Sequence, residues 1–277
     1  MMDNQQSVLR RVLLHGLLIV GVIFSIGPFY WMVVGATNPS GEILSSPPTI
    51  LPGSYLVENM TNLHDAIPIL RNLFNSIVIA VIFVFASLLV CSAAGYAFAK
   101  YDFKGNRVIF ASFLLAMMIP YQATIIPLFQ LFSALDWINT YRAVILPQVC
   151  YPFAIFLIRQ NMKGIPDSMI EAARIDGAGE ISIFFKLALP TMKPALAAVG
   201  IFLFTHQWNN FMWPLIVMTT QENYTLPVAL STLAGLNSID YGQLMLGTAI
   251  SVVPIMVVFL ILQKHFVSGI LGGSVKE

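Results

Sequence analysis

Charged residues are scarce in this chain of 277 residues: Asp, Glu, Lys and Arg together make up 10% of it, against about 25% in soluble domains. That shortage excludes a disordered chain, a fibrous repeat and an ordinary soluble enzyme. The formal net charge of +1 offers no bulk attraction for nucleic acid. Cysteine occurs only as Cys91 and Cys150, both inside apolar runs, so neither a disulfide framework nor a Cys-ligated metal site is indicated. No Gly-Lys dipeptide occurs, which removes any P-loop for ATP, and no H-E-x-x-H is present. No nucleophile–base set stands out, so the chain reads as a non-enzyme without a cofactor of its own. What the sequence does have is 57% hydrophobic residues, the composition of a membrane protein.

A helix needs about 20 apolar residues to cross a bilayer core. Stretches 12–36, 73–99, 108–135, 194–219 and 241–263 contain no Asp, Glu, Lys or Arg and meet or approach that length. A sixth, 143–158, is shorter and lies between Arg142 and Arg159, whose long side chains would reach the two interfaces. The reading is an all-α polytopic membrane protein with six transmembrane helices. Arg10 and Arg11 precede the first stretch as in a signal peptide, but its apolar core is too long and no A-x-A site follows, so a retained anchor is expected. With the N-terminus in the cytoplasm, only Arg71 and Arg142 of the fourteen Lys and Arg residues fall outside, so both termini are expected to be cytoplasmic. The outer segment 37–71 carries Pro39, Pro47, Pro48 and Pro52 and reads as an extended, turn-rich connection. Residues 1–277 read as a single membrane domain without internal repeats.

One segment is unlike a connector. Residues 159–193 hold nine of the chain's 27 charges on the cytoplasmic side, and a plain helix connection is about 2–8 residues. Ser168-Met169-Ile170-Glu171 fits a capping box after Pro166, and Gly177 supplies a stop. A second helical run is expected over 180–189, closed by Pro190, with Pro194 starting the next span. Such a hairpin either rests on the membrane surface or docks a soluble partner.

Polar groups within the spans are candidates for a translocation path: Tyr121 and Gln122 beside Pro120, His206, Gln207, Trp208, Asn209 and Asn210, and Trp213. Amides and aromatic faces suit a sugar's hydroxyls and ring faces; bonding between helices is the alternative for each. Small residues Ser87, Cys91, Gly95 and Ala99 recur every fourth position, as do Gly247 and Ser251, and mark faces for close helix packing.

Glu171-Ala172-Ala173-x-x-Asp176-Gly177-Ala178, followed by Phe184, Leu189-Pro190 and Pro194, closely resembles the EAA loop of binding-protein-dependent ABC importer permeases. Asn72-Leu73-Phe74-Asn75-Ser76, Met118-Ile119-Pro120-Tyr121-Gln122, Trp208-Asn209-Asn210-Phe211 with Trp213-Pro214-Leu215, and the tail from Gly269 to Lys276 are similar to the carbohydrate branch, the maltose-type second permease. Asn210, where an acidic residue is frequent, and the terminal Glu277 depart from that pattern. The resemblance implies a type I importer fold in a bacterial or archaeal cytoplasmic membrane. It implies that Glu171, Ala172, Ala173, Asp176, Gly177, Ala178 and Pro190 couple the chain to a cytoplasmic ATPase. It also implies a second permease in a heterodimer, two ATPase subunits holding ATP and Mg, an external solute-binding protein and a sugar substrate. A glycerol phosphate or polyol substrate, a self-sufficient secondary transporter and an assembly factor are the competing readings. The absence of charge within the spans disfavours the secondary transporter.

Overall fold

The computed structural model describes residues 2–235 and 239–271, and among them every regular element is helical. We number the main helices α1 (Met2–Ala36), α2 (Leu56–Ala66), α3 (Ile69–Lys100), α4 (Asn106–Ala116), α5 (Tyr121–Ala134), α6 (Tyr141–Gln148), α7 (Pro152–Met162), α8 (Asp167–Ile175), α9 (Glu180–Thr191), α10 (Lys193–Trp208), α11 (Met212–Val217), α12 (Leu226–Ala234) and α13 (Tyr241–Leu271). The tail resemblance at 272–277 lies outside the described residues.

Three helices, α1, α3 and α13, are long and apolar enough to cross a membrane as single rods. From Val12 to Phe29 the apolar side chains of α1 are exposed all round the helix, which is how a lipid-facing rod reads. The other three spans are broken. The stretch expected as one helix over 108–135 is α4 and α5, bent by 100°. Pro120 has no N–H to continue the ladder and holds an extended backbone (φ −59°, ψ 126°), so the α-helix cannot run through it. The α6–α7 and α9–α10 pairs bend by 47° and 82°, each with proline at or beside the break.

Contacts divide the chain into two units. One comprises Met1–Ile69 and Leu230–Val252. Here the segment 37–71 is more than an extended connection, because it contains α2, which turns Asn59 and Leu63 inward on one face. The buried Asn59 amide donates to Ala36 O at 2.9 Å and Asn38 O at 3.0 Å, capping the end of α1. Gly35 and Gly247 lie against Met245 and Leu230 respectively.

The other unit comprises Leu70–Ala229 and Val253–Glu277. Phe83, Ile79, Ile155, Ile158, Met162, Leu203 and Trp213 fill its core. The small-residue face of α3 is closed against α7 of the same chain. A Cβ at Gly95 would sit 2.7 Å from Ile158 Cγ2 and 3.1 Å from the Arg159 backbone N, so only glycine fits. Asn72 and Asn75, one turn apart at the start of α3, tie down the loop before α12. Asn72 Nδ2 donates to Gln221 O (2.7 Å) and Tyr224 O (3.1 Å), and Asn75 Nδ2 to Glu222 O (2.7 Å) and Tyr224 O (2.9 Å). Ser76 Oγ accepts from Leu226 N at 2.7 Å.

Candidate functional site

The breaks between α4 and α5 and between α6 and α7, together with the C-terminal end of α10, converge on a groove of about 1400 Å³. Each of these three regions places polar groups on the groove. The first contributes Tyr121 and Thr124, the second Gln148 and Tyr151, and the third Thr205, His206, Asn209 and Asn210. His206 Nε2 is 3.0 Å from Gln148 Oε1, and Gln148 Nε2 donates to the Tyr121 hydroxyl at 3.4 Å. This chain of polar contacts runs from α10 through α6 to α5. The Tyr151 ring lies 4.7 Å from His206 and 5.8 Å from Phe202, and Phe202 lies 5.0 Å from Phe153. The groove thus sets hydroxyl, amide and imidazole groups beside aromatic faces, and among the described residues no Asp, Glu, Lys or Arg lines it.

Of the path residues expected from the sequence, Tyr121, Asn209 and Asn210 line the groove. Gln122 is exposed but is not among the lining residues. Trp208 is buried and stacks on Phe204 at 5.6 Å. Trp213 is wholly buried, its indole N–H donating to Ala143 O at 2.8 Å and its ring edge-on to Phe132. Sequence reasoning missed Gln148 and Tyr151; the available signal was Pro147 and Pro152 bracketing them inside an apolar stretch, a mark of a broken helix.

The hairpin over 159–193 folds as α8, a turn and α9. Helix α8 begins at Asp167 with Pro166 as its cap and no side-chain cap bond, so the capping box expected at Ser168 is absent. Pro166 fixes the extended entry and Asp167 takes the first turn, placing Ser168 inside the helix. At the other end Asp176 closes the helix and Gly177 has φ +83°, a left-handed backbone that favours glycine. Ala178 N donates to Ala173 O at 2.9 Å and Gly177 N to Arg174 O at 3.0 Å, satisfying the last carbonyls. Ala173 and Ala178 pack inward, while Glu171 and Ala172 are exposed. A Cβ at Gly177 would meet nothing within 4 Å, so the outer face of this turn is open.

The second run is helical as expected but carries a π-turn over Phe184–Ala188. Pro190 lacks the N–H that would continue the regular ladder, which is where such a turn relieves the chain. Pro194 sits in the first turn of α10. Ile175 is 86% and Ile181 77% exposed, so the hairpin presents bare apolar side chains beside Glu171. Among the described residues no three His, Cys, Asp or Glu side chains gather to hold a metal ion.

Residues 91–272 match the family model described as binding-protein-dependent transport system inner membrane component. The chain is 38% identical over 271 residues to the arabinooligosaccharides transport system permease protein AraQ of Halalkalibacterium halodurans, covering 95% of this chain and 97% of that one. It is 35% identical over 276 residues to the lactose transport system permease protein LacG of Rhizobium radiobacter, covering 100% of each. Its fold matches, at TM-score 0.80 and 23% identity, a chain of a bacterial ABC transporter involved in the import of the acidic polysaccharide alginate, covering 92% of this chain and 95% of that one. The multi-pass helical fold, the EAA-like loop and these likenesses agree: the chain belongs to the binding-protein-dependent transport system inner membrane components, and it is a transport permease rather than an enzyme.

Proposed function

We propose that this chain forms one side of the translocation path of an ATP-driven importer for a sugar or oligosaccharide, and that residues 168–190 couple it to the ATPase. The observation that carries this reading is the uncharged groove, in which two helix breaks and the end of α10 bring polar groups beside aromatic faces. Hydroxyls of a sugar exchange hydrogen bonds with Gln148, His206, Asn209, Asn210 and Tyr121, while its apolar ring face stacks on Tyr151 or Phe202. A phosphate ester would find no cation among the described residues of the groove lining, which sets glycerol phosphate behind a neutral solute. The arabinooligosaccharide and lactose systems named for the relatives fit the same chemistry.

The chain acts as half of a heterodimer with a second permease. Two ATPase subunits bind ATP and Mg below it, and an external binding protein delivers the solute. Both termini face the cytoplasm, a reading that the Lys and Arg distribution supports. Glu171 and the exposed Ile175 and Ile181 meet the ATPase around the open Gly177 turn. Closure of the ATPase pair moves the hairpin as a body, and the 82° bend between α9 and α10 passes that motion to the strip of α10 carrying His206.

Affinity purification of the tagged chain in mild detergent tests the assembly. An ATPase and a second permease are expected to co-purify, and Gly177→Asp is expected to lose the ATPase while remaining inserted. Recovery of the chain alone, under conditions that preserve a control importer, contradicts the proposal.

A further inference from the structure

The cytoplasmic end of α3 grips the start of α8 and the start of α9, through two consecutive residues. Lys100 Nζ donates to Ile165 O at 2.5 Å and to Asp167 Oδ1 at 2.7 Å, just where α8 begins. The Lys100 side chain is 4% exposed, so this cation is held, not solvated. Tyr101, the next residue, donates its hydroxyl to Glu180 Oε2 at the start of α9. Glu180 also takes Arg174, from the last turn of α8, at 2.7 Å and 3.3 Å. The Arg174 guanidinium stands 5.9 Å from the centre of the Tyr101 ring. Tyr96, one turn earlier on α3, packs edge-on to Tyr101 at 5.7 Å and against Phe184 of the π-turn at 5.4 Å.

We infer that Lys100 and Tyr101 are positioning residues for coupling: they clamp the hairpin to α3, so that motion imposed on the hairpin reaches the second span as well as α10. This inference rests on the reading that the hairpin receives the ATPase. A hairpin held only by the short link 163–166 after α7 and by the α9–α10 junction could swing on the 82° bend and dissipate the motion. One anchor at the start of α8 and another at the Arg174–Glu180 pair that joins α8 to α9 remove that freedom. From α3 the motion passes to α7 at Gly95, where the helices are in backbone contact and cannot slide independently. Because α7 begins just after Gln148 and Tyr151, both flanks of the groove then move together. Burial and the Glu180 carboxylate push the Tyr101 phenol up to about 12, so the hydroxyl keeps its proton and remains a donor at physiological pH.

The test uses the assembled importer in proteoliposomes with its binding protein and solute, and reads solute transported per ATP hydrolysed. Tyr101→Phe keeps the ring and removes only the hydroxyl; Lys100→Met removes the cation, and Lys100→Arg restores it. The first two variants are expected to lower the transport ratio about fivefold, the low end of couplings between distant sites, with the ATPase still co-purifying. Lys100→Arg is expected to stay near the parent ratio. A ratio unchanged in Tyr101→Phe and Lys100→Met, or uptake and hydrolysis falling together with the amount of complex, overturns the clamp. Loss of the docking reading is distinguished separately: Gly177→Asp would then retain the ATPase.

Discussion

Single residues in this chain are constrained for different reasons, and the reasons predict different costs. Gly95 is held by space: a methyl group there meets Ile158 and the backbone of Arg159. Gly95→Ala is expected to destabilise the protein by about 1–3 kcal/mol, the usual cost of overpacking, read as a lower midpoint of thermal unfolding in detergent. Gly177 is held by backbone, with φ +83° and free space around it. Gly177→Ala is therefore expected to cost only about 1–2 kcal/mol, the left-handed penalty, whereas Gly177→Asp adds a charge on the face proposed to dock. Trp213 is a further case. Its indole N–H satisfies the buried Ala143 carbonyl, so Trp213→Phe is expected to cost about 1–3 kcal/mol in the same unfolding assay, with solute selectivity unchanged. A large change in selectivity with no loss of stability would return Trp213 to the path.

Among the elements, hydropathy made the spans legible but not their shape. The run at 108–135 has the length and apolar content of one span, and it folds as a bent pair of helices. Its 100° break depends on neighbours that can satisfy the backbone freed at Pro120, and that information is tertiary. For the same reason a reading based on polarity alone passed over Gln148 and Tyr151, although Pro147 and Pro152 mark the break there, while the two tryptophans that attract attention in the sequence went to packing. The segment 37–71 misled by its prolines, which cluster before α2 rather than within it. The hairpin was the most legible element, because charge density, Pro190 and Gly177 all act locally. Its tie to α3 through Lys100 and Tyr101 is a long-range pairing that no local rule announces.

That tie also has a pH signature. The hydrogen bonds from Arg174 and then Tyr101 hold the Glu180 carboxyl below its usual value. A depressed carboxylate contributes stability that is present above its unfolded value and is lost as pH falls through the folded one. Hydrogen exchange over 167–183 is therefore expected to stay flat near neutrality and rise under acid, and Glu180→Gln is expected to remove most of that rise. An acid response unchanged in Glu180→Gln would place the sensitivity elsewhere.

At the scale of the whole molecule, the central claim is that the uncharged groove carries the solute. Its polar contacts link α5, α6 and α10, so a bound sugar would bridge the helices that the ATPase stroke moves. The most direct measurement is ATP-driven uptake of a labelled oligosaccharide panel into proteoliposomes holding the complete importer, comparing the parent with His206→Leu and Gln148→Leu. The expected result is a raised apparent KM or an altered order of preference among sugars, at about tenfold, the effect of losing roughly 1.4 kcal/mol of binding, with ATPase assembly intact. Uptake kinetics unchanged in both variants would contradict the account and move the solute path to other residues.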